Sequence, residues 1–218
     1  MIDHRNAEED LRVIRTLMER ATIYRAISAP TALVAGLLAV LASVAIHVHD
    51  EIMHRPAIGP RQFASIWLIV LLLVLVANTF FVWREAERDG RLFVSPGMKL
   101  ALRAVIPCLL IPAAFMGWFF TTGFLGGQEL DLVVSWIAFY GLALLSTQLF
   151  APRSLALLGW AFLLSGLAVP AMTNTLENLT DNLPNLAMGI TFGCYHLVYA
   201  ICVWIRGRAR TADQFAPE

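Results

Sequence analysis

Six stretches without a single Asp, Glu, Lys or Arg divide the chain, and they constrain its fold more than any motif does. Arg25 to Asp50 encloses 24 uncharged residues, Arg61 to Arg84 encloses 22, and Arg103 to Glu129 encloses 25. Asp131 to Arg153 encloses 21, Arg153 to Glu177 encloses 23, and Asp181 to Arg206 encloses 24. A helix needs about 20 apolar residues to cross the hydrocarbon core of a bilayer, so each stretch holds one crossing. Backbone amides in lipid must bond within their own segment. The strands of a membrane barrel would alternate polar with apolar residues, which these stretches do not. The expected fold is an all-α membrane protein of six transmembrane helices arranged as three helical hairpins. The spans fall near residues 28–48, 63–83, 99–121, 131–150, 154–173 and 184–205. Hydrophobic residues make up 58% of the chain and charged ones 15%, too little polar surface to solvate six such helices in a globular domain.

The charges are sorted by side. Six crossings leave both termini on one face, and placing that face in the cytoplasm puts 14 Lys and Arg inside, with Arg55 and Arg61 outside. Positively charged loops stay cytoplasmic, which orients the chain in a bacterial inner membrane with both termini inside. Inside, 14 bases meet 10 acids; outside, 2 bases meet 6, so a net charge of zero conceals a polarised molecule. That neutral total offers no general attraction to nucleic acid. Trp67, Trp83, Trp118, Trp136 and Trp204 fall near span ends, as an aromatic belt requires, whereas Trp160 lies deeper.

Residues 1–25 carry ten charges, unlike a cleavable signal peptide. Asn6 and Glu9 have the spacing of a capping box. Leu11, Ile14, Met18, Ala21 and Tyr24 then recur at helical spacing. An amphipathic cytoplasmic helix is expected over 1–27, lying among lipid headgroups or docking a partner, with a short cytoplasmic tail over 206–218. Proline follows a small residue at Ala29-Pro30, Ser95-Pro96 and Ala151-Pro152, where each outward crossing begins. The third span holds Pro107 and Pro112 and is expected to kink. Ala32 and Gly36 on the first span, and Gly189 and Gly193 on the sixth, form small-residue faces that let helices approach closely. They suit packing inside the bundle or a homo-oligomer interface. Cys108, Cys194 and Cys202 lie within spans and read as small apolar packing groups.

Two places could carry chemistry. At the outer end of the first span, a helix continued to Pro56 would set His47, Asp50, Glu51 and His54 on one face. Two imidazoles and two carboxylates there suit a divalent metal, and the same residues equally suit a polar boundary where the span leaves the membrane. His196 lies near the middle of the sixth span with Tyr199 three residues on; ionisable groups at such depth face the bundle interior. Towards the inner side, Asn78, Arg103 and Gln148 could form one polar cluster or act separately in snorkelling and interhelical bonds. No phosphate-binding loop, dinucleotide fingerprint, HExxH or GxSxG elbow occurs. The leading expectation is a non-enzymatic membrane-embedded subunit or accessory protein. The alternative is a small transporter or channel, for divalent metal at the outer cluster, and the third a membrane enzyme using His196.

Overall fold

The computed structural model describes residues 29–49, 58–88, 90, 96–122, 129–149, 151–173 and 182–214. The expected N-terminal amphipathic helix lies outside the described residues. All regular structure among the described residues is helical. The helices are α1 (Ala29–His47), α2 (Pro60–Arg88), α3 (Pro96–Thr122), α4 (Glu129–Ser146) and α5 (Arg153–Thr173). The last crossing starts as α6 (Leu183–Met188), passes through a π-helical segment (Gly189–Tyr195) and continues as α7 (His196–Gln214). Six of these stretches are long and apolar enough to cross a membrane, the last running Leu183–Arg206. By length and composition these helices are compatible with a multi-pass membrane protein.

Local chemistry sets the ends. Pro60 and Pro96 open α2 and α3, where a missing N–H costs nothing. At the end of α4 the backbone tightens, with Thr147 and Gln148 N–H bonding Leu144 and Leu145 carbonyls at 3.1 and 3.0 Å. The Ser146 and Thr147 hydroxyls donate to Ala143 and Leu144 carbonyls, so α4 stops at Ser146, short of the expected 150. Ala151 N–H then bonds the Thr147 carbonyl at 2.8 Å, and the chain turns straight back into α5. Pro107 and Pro112 do not break α3, which runs as one helix. Irregular backbone appears instead in the sixth crossing.

The core is built mainly by α1, α4, α5 and the sixth crossing. Buried residues make up 33–39% of the apolar window in those four, against 6% in α2 and 11% in α3. One large cluster runs from Ala32, Ala39 and Ile46 through Val133 and Ile137 to Phe162 and Met188. A smaller one joins Ala64, Met116, Phe119 and Leu132, fastening α2 and α3 to α4. Two helix pairs come together through small residues. Across α4 and α5, a Cβ placed on Gly141 would sit 2.7 Å from the Leu163 nitrogen and 2.9 Å from the Gly159 oxygen. Across α1 and the sixth crossing, a Cβ on Gly36 would meet Leu197 Cγ at 2.7 Å and the Gly193 oxygen at 3.0 Å. One on Gly189 would collide with Ser43 Oγ. With no hydrophobic drive between helices in lipid, such backbone proximity supplies the dispersion contacts that hold them. The small residues Ala32, Gly36, Gly189 and Gly193 therefore face one another's helices inside one chain, and Ala32 is 1% exposed.

Trp83, Trp118, Trp160 and Trp204 stand about half exposed, whereas Trp67 is buried at 3% in the large core cluster, not in a boundary belt. Cys194 and Cys202 are exposed and Cys108 half-buried, all as free thiols, so two of the three point away from the packing they were expected to fill.

Candidate functional site

Three crossings converge near the middle of the membrane around Phe162 of α5, whose side chain is fully buried. Its ring lies 4.7 Å from that of Tyr140 on α4, 5.1 Å from Phe192 and 5.6 Å from Tyr195. His196 is 5.5 Å away, and all four neighbours meet Phe162 at steep angles, the edge-on arrangement that aromatic quadrupoles favour. Tyr140 and Phe162 each lie about halfway along their helices, and His196 halfway along Leu183–Arg206, so the cluster sits at mid-depth.

His196 is 5% exposed, and both of its ring nitrogens are engaged. Nδ1 is 3.0 Å from the Phe192 carbonyl and Nε2 is 2.8 Å from the Tyr140 hydroxyl. A carbonyl can only accept, so Nδ1 carries the proton. In the neutral ring Nε2 then accepts from the Tyr140 O–H, tying α7 to α4. Beside it, Ser165 donates to the Ala161 carbonyl at 2.8 Å, which leaves its oxygen to accept from Tyr195 O–H, also at 2.8 Å. That second bond ties the π-helical segment to α5. Single π turns in membrane and soluble helices are frequently functional, and here the π-helical segment ends directly at His196 and supplies the Phe192 carbonyl that orients its ring. Tyr199 is buried one turn further along.

The arrangement fastens helices to one another, with the Tyr140 hydroxyl held on Nε2 of His196. Interhelical hydrogen bonds in membranes contribute on average about 0.6 kcal/mol, with a maximum near 1.7. Tyr140→Phe should therefore lower the unfolding free energy of the protein in bicelles by about 0.6 kcal/mol, staying below about 1.7. Stability equal to the wild type would show that the bond contributes nothing, and complete loss of folding would show that Tyr140 does more than fasten.

A second fastener sits nearer the C-terminal end of α1. Ser43 Oγ donates to the Asn185 carbonyl at 3.2 Å, and Asn185 Nδ2 donates to the Ser43 carbonyl at 2.9 Å, locking α1 to α6. Tyr140, Ser165, Tyr195 and Asn185 are the residues that sequence reasoning passed over. Their common signal is a hydrogen-bonding tip inside an otherwise apolar span.

Asn78, Arg103 and Gln148 stay apart. Asn78 is half-buried on α2 with its Oδ1 unpartnered, Arg103 is exposed on α3, and Gln148 is exposed in the turn after α4. No hydrogen bond among the described residues joins them. His47 is exposed as the last residue of α1, and the backbone at 48–49 is π-helical. Asp50, Glu51 and His54 lie outside the described residues. Among the described residues, no three His, Cys, Asp or Glu side chains come together as a metal site. Compared with known proteins, the chain matches no family model, no curated protein and no solved structure.

Proposed function

We propose that this chain is a non-enzymatic, membrane-embedded subunit or accessory protein of a bacterial cytoplasmic membrane. Its crossings form three successive hairpins with both termini in the cytoplasm, and its charged N-terminal segment faces a partner there. The observation that carries this reading is the use of the deep polar groups. His196, Tyr140, Tyr195 and Ser165 are spent on linking helices to one another. The sparse burial of α2 and α3 supports it further, because those two crossings keep most of their surface for lipid or for a second membrane protein. The asymmetry of 14 inner against 2 outer Lys and Arg supports the orientation.

Tagged full-length protein extracted in mild detergent should bring down a stoichiometric membrane partner. Removal of residues 1–20 should lose that partner while leaving the six-helix bundle folded. Flux of a divalent cation through liposomes holding the protein alone would favour the transporter reading instead.

A further inference from the structure

We propose that an open groove at the α1–α2 end of the bundle binds the headgroup and upper acyl chain of an anionic phospholipid. The groove has a volume of about 480 Å³, and its lining divides into two levels. His49, Arg61 and Gln62 form a polar rim, and Ile58, Ile66 and Ile69 form the apolar part. Arg61 to Ile69 is eight residues along α2, or about 12 Å at a rise of about 1.5 Å per residue. Arg61 also bounds the uncharged interval that ends at Arg84, so it stands at the membrane boundary with Ile66 and Ile69 at hydrocarbon depth and Ile58 beside the rim. The groove thus runs from headgroup level into the acyl region, the path of one lipid molecule.

Charge selects the headgroup. Arg61 is exposed, and its guanidinium has no ion pair or hydrogen bond among the described residues; its own carbonyl is taken by Ser65 Oγ at 2.7 Å. Gln62 is oriented at the rim by the Gly59 N–H, which its Oε1 accepts at 3.3 Å. On the proposed outer face, acids outnumber bases six to two, and the two bases are Arg55, in the link that also holds Asp50 and Glu51, and Arg61 at the start of α2. Arginine holds a phosphate through a planar set of donors, which a zwitterionic headgroup partly neutralises by itself. A soluble anion would use the rim and leave the isoleucines idle, so the lipid is the occupant that accounts for both levels. The inference stands whether or not the chain also has a protein partner.

Native mass spectrometry of the full chain, released from detergent supplemented with phosphatidylglycerol or phosphatidylcholine, tests this. Wild type should retain phosphatidylglycerol about fivefold more than phosphatidylcholine, the change expected from one arginine near an anionic headgroup. Arg61→Gln should abolish that preference, Arg61→Lys should retain most of it, and Arg84→Gln at the other end of α2 should leave it unchanged. Thermal unfolding in phosphatidylcholine alone should be the same for Arg61→Gln and wild type, separating lost binding from lost folding. Equal retention of both lipids by wild type overturns the proposal, as does an unaltered preference in Arg61→Gln. Displacement of the lipid by inorganic phosphate at matched concentration would assign the rim to a soluble anion and overturn it too.

Discussion

Replacing Gly141 with leucine should keep α4 and α5 from closing on each other, at a cost of about 3 kcal/mol, the upper end of what overpacking imposes. Even a methyl group there would stand 2.7 Å from the backbone nitrogen of Leu163 and 2.9 Å from the carbonyl oxygen of Gly159. Backbone atoms cannot rotate aside as a side chain can, so the helices must separate. Separation forfeits the contacts of Gly159 and Gly166 with α4 as well, because Gly166 packs 3.0 Å from Ala138 by the same measure. Gly141→Ala should show a smaller loss, near 1 kcal/mol. Gly117→Leu on α3 provides the contrast, since nothing lies within 4 Å of a Cβ at that position. Equilibrium unfolding in mixed detergent reads all three. Equal losses at Gly141 and Gly117 would mean that the close approach of α4 and α5 does not hold the bundle.

Phe162→Ala should be the second large effect. In a soluble core, truncating a buried phenylalanine typically costs 3–5 kcal/mol, part of it the transfer of the side chain out of water. Here the separated helices would still lie in lipid, so the transfer part is absent and the cavity part remains. Removing roughly 100 Å³ at about 24 cal/mol per Å³ gives about 2.4 kcal/mol. The same cavity loosens the rings of Tyr140, Phe192, Tyr195 and His196, which all lean on Phe162. Phe80→Ala should cost almost nothing, since Phe80 is 48% exposed on α2. Comparable losses at the two positions would contradict the placement of Phe162 at the centre.

The six crossings were legible because lipid imposes a length and forbids charge along it. Arg25, Asp50, Arg61 and Arg84 mark limits that the observed α1 and α2 respect within a few residues. Ala32, Gly36, Gly189 and Gly193 were legible as packing faces for a similar reason, since small residues repeated every four positions have one obvious use in a membrane. Which helix each face would meet was not legible. A soluble helix shows its inner face by polarity, but α2 and α5 are apolar all round, and sequence alone does not separate the core side of Phe162 from the lipid side of Leu164. The interior setting of His196 could be read from its depth. Its partner could not, because Tyr140 lies 56 residues away on a helix whose neighbours nothing in the sequence specifies. The π-helical segment left no sequence signal beyond its two glycines, and Trp67 read as a belt residue because position along a span says nothing about which way a side chain turns.

That this chain works by holding a second membrane protein, its own deep polar groups being committed to its own helices, is tested most directly by its mass after extraction. Full-length protein taken from its native membrane in mild detergent should fly as a 24.1 kDa chain joined to a different polypeptide in fixed ratio. A 24.1 kDa species carrying lipid alone, from a preparation that also conducts a solute across liposomes, would contradict it.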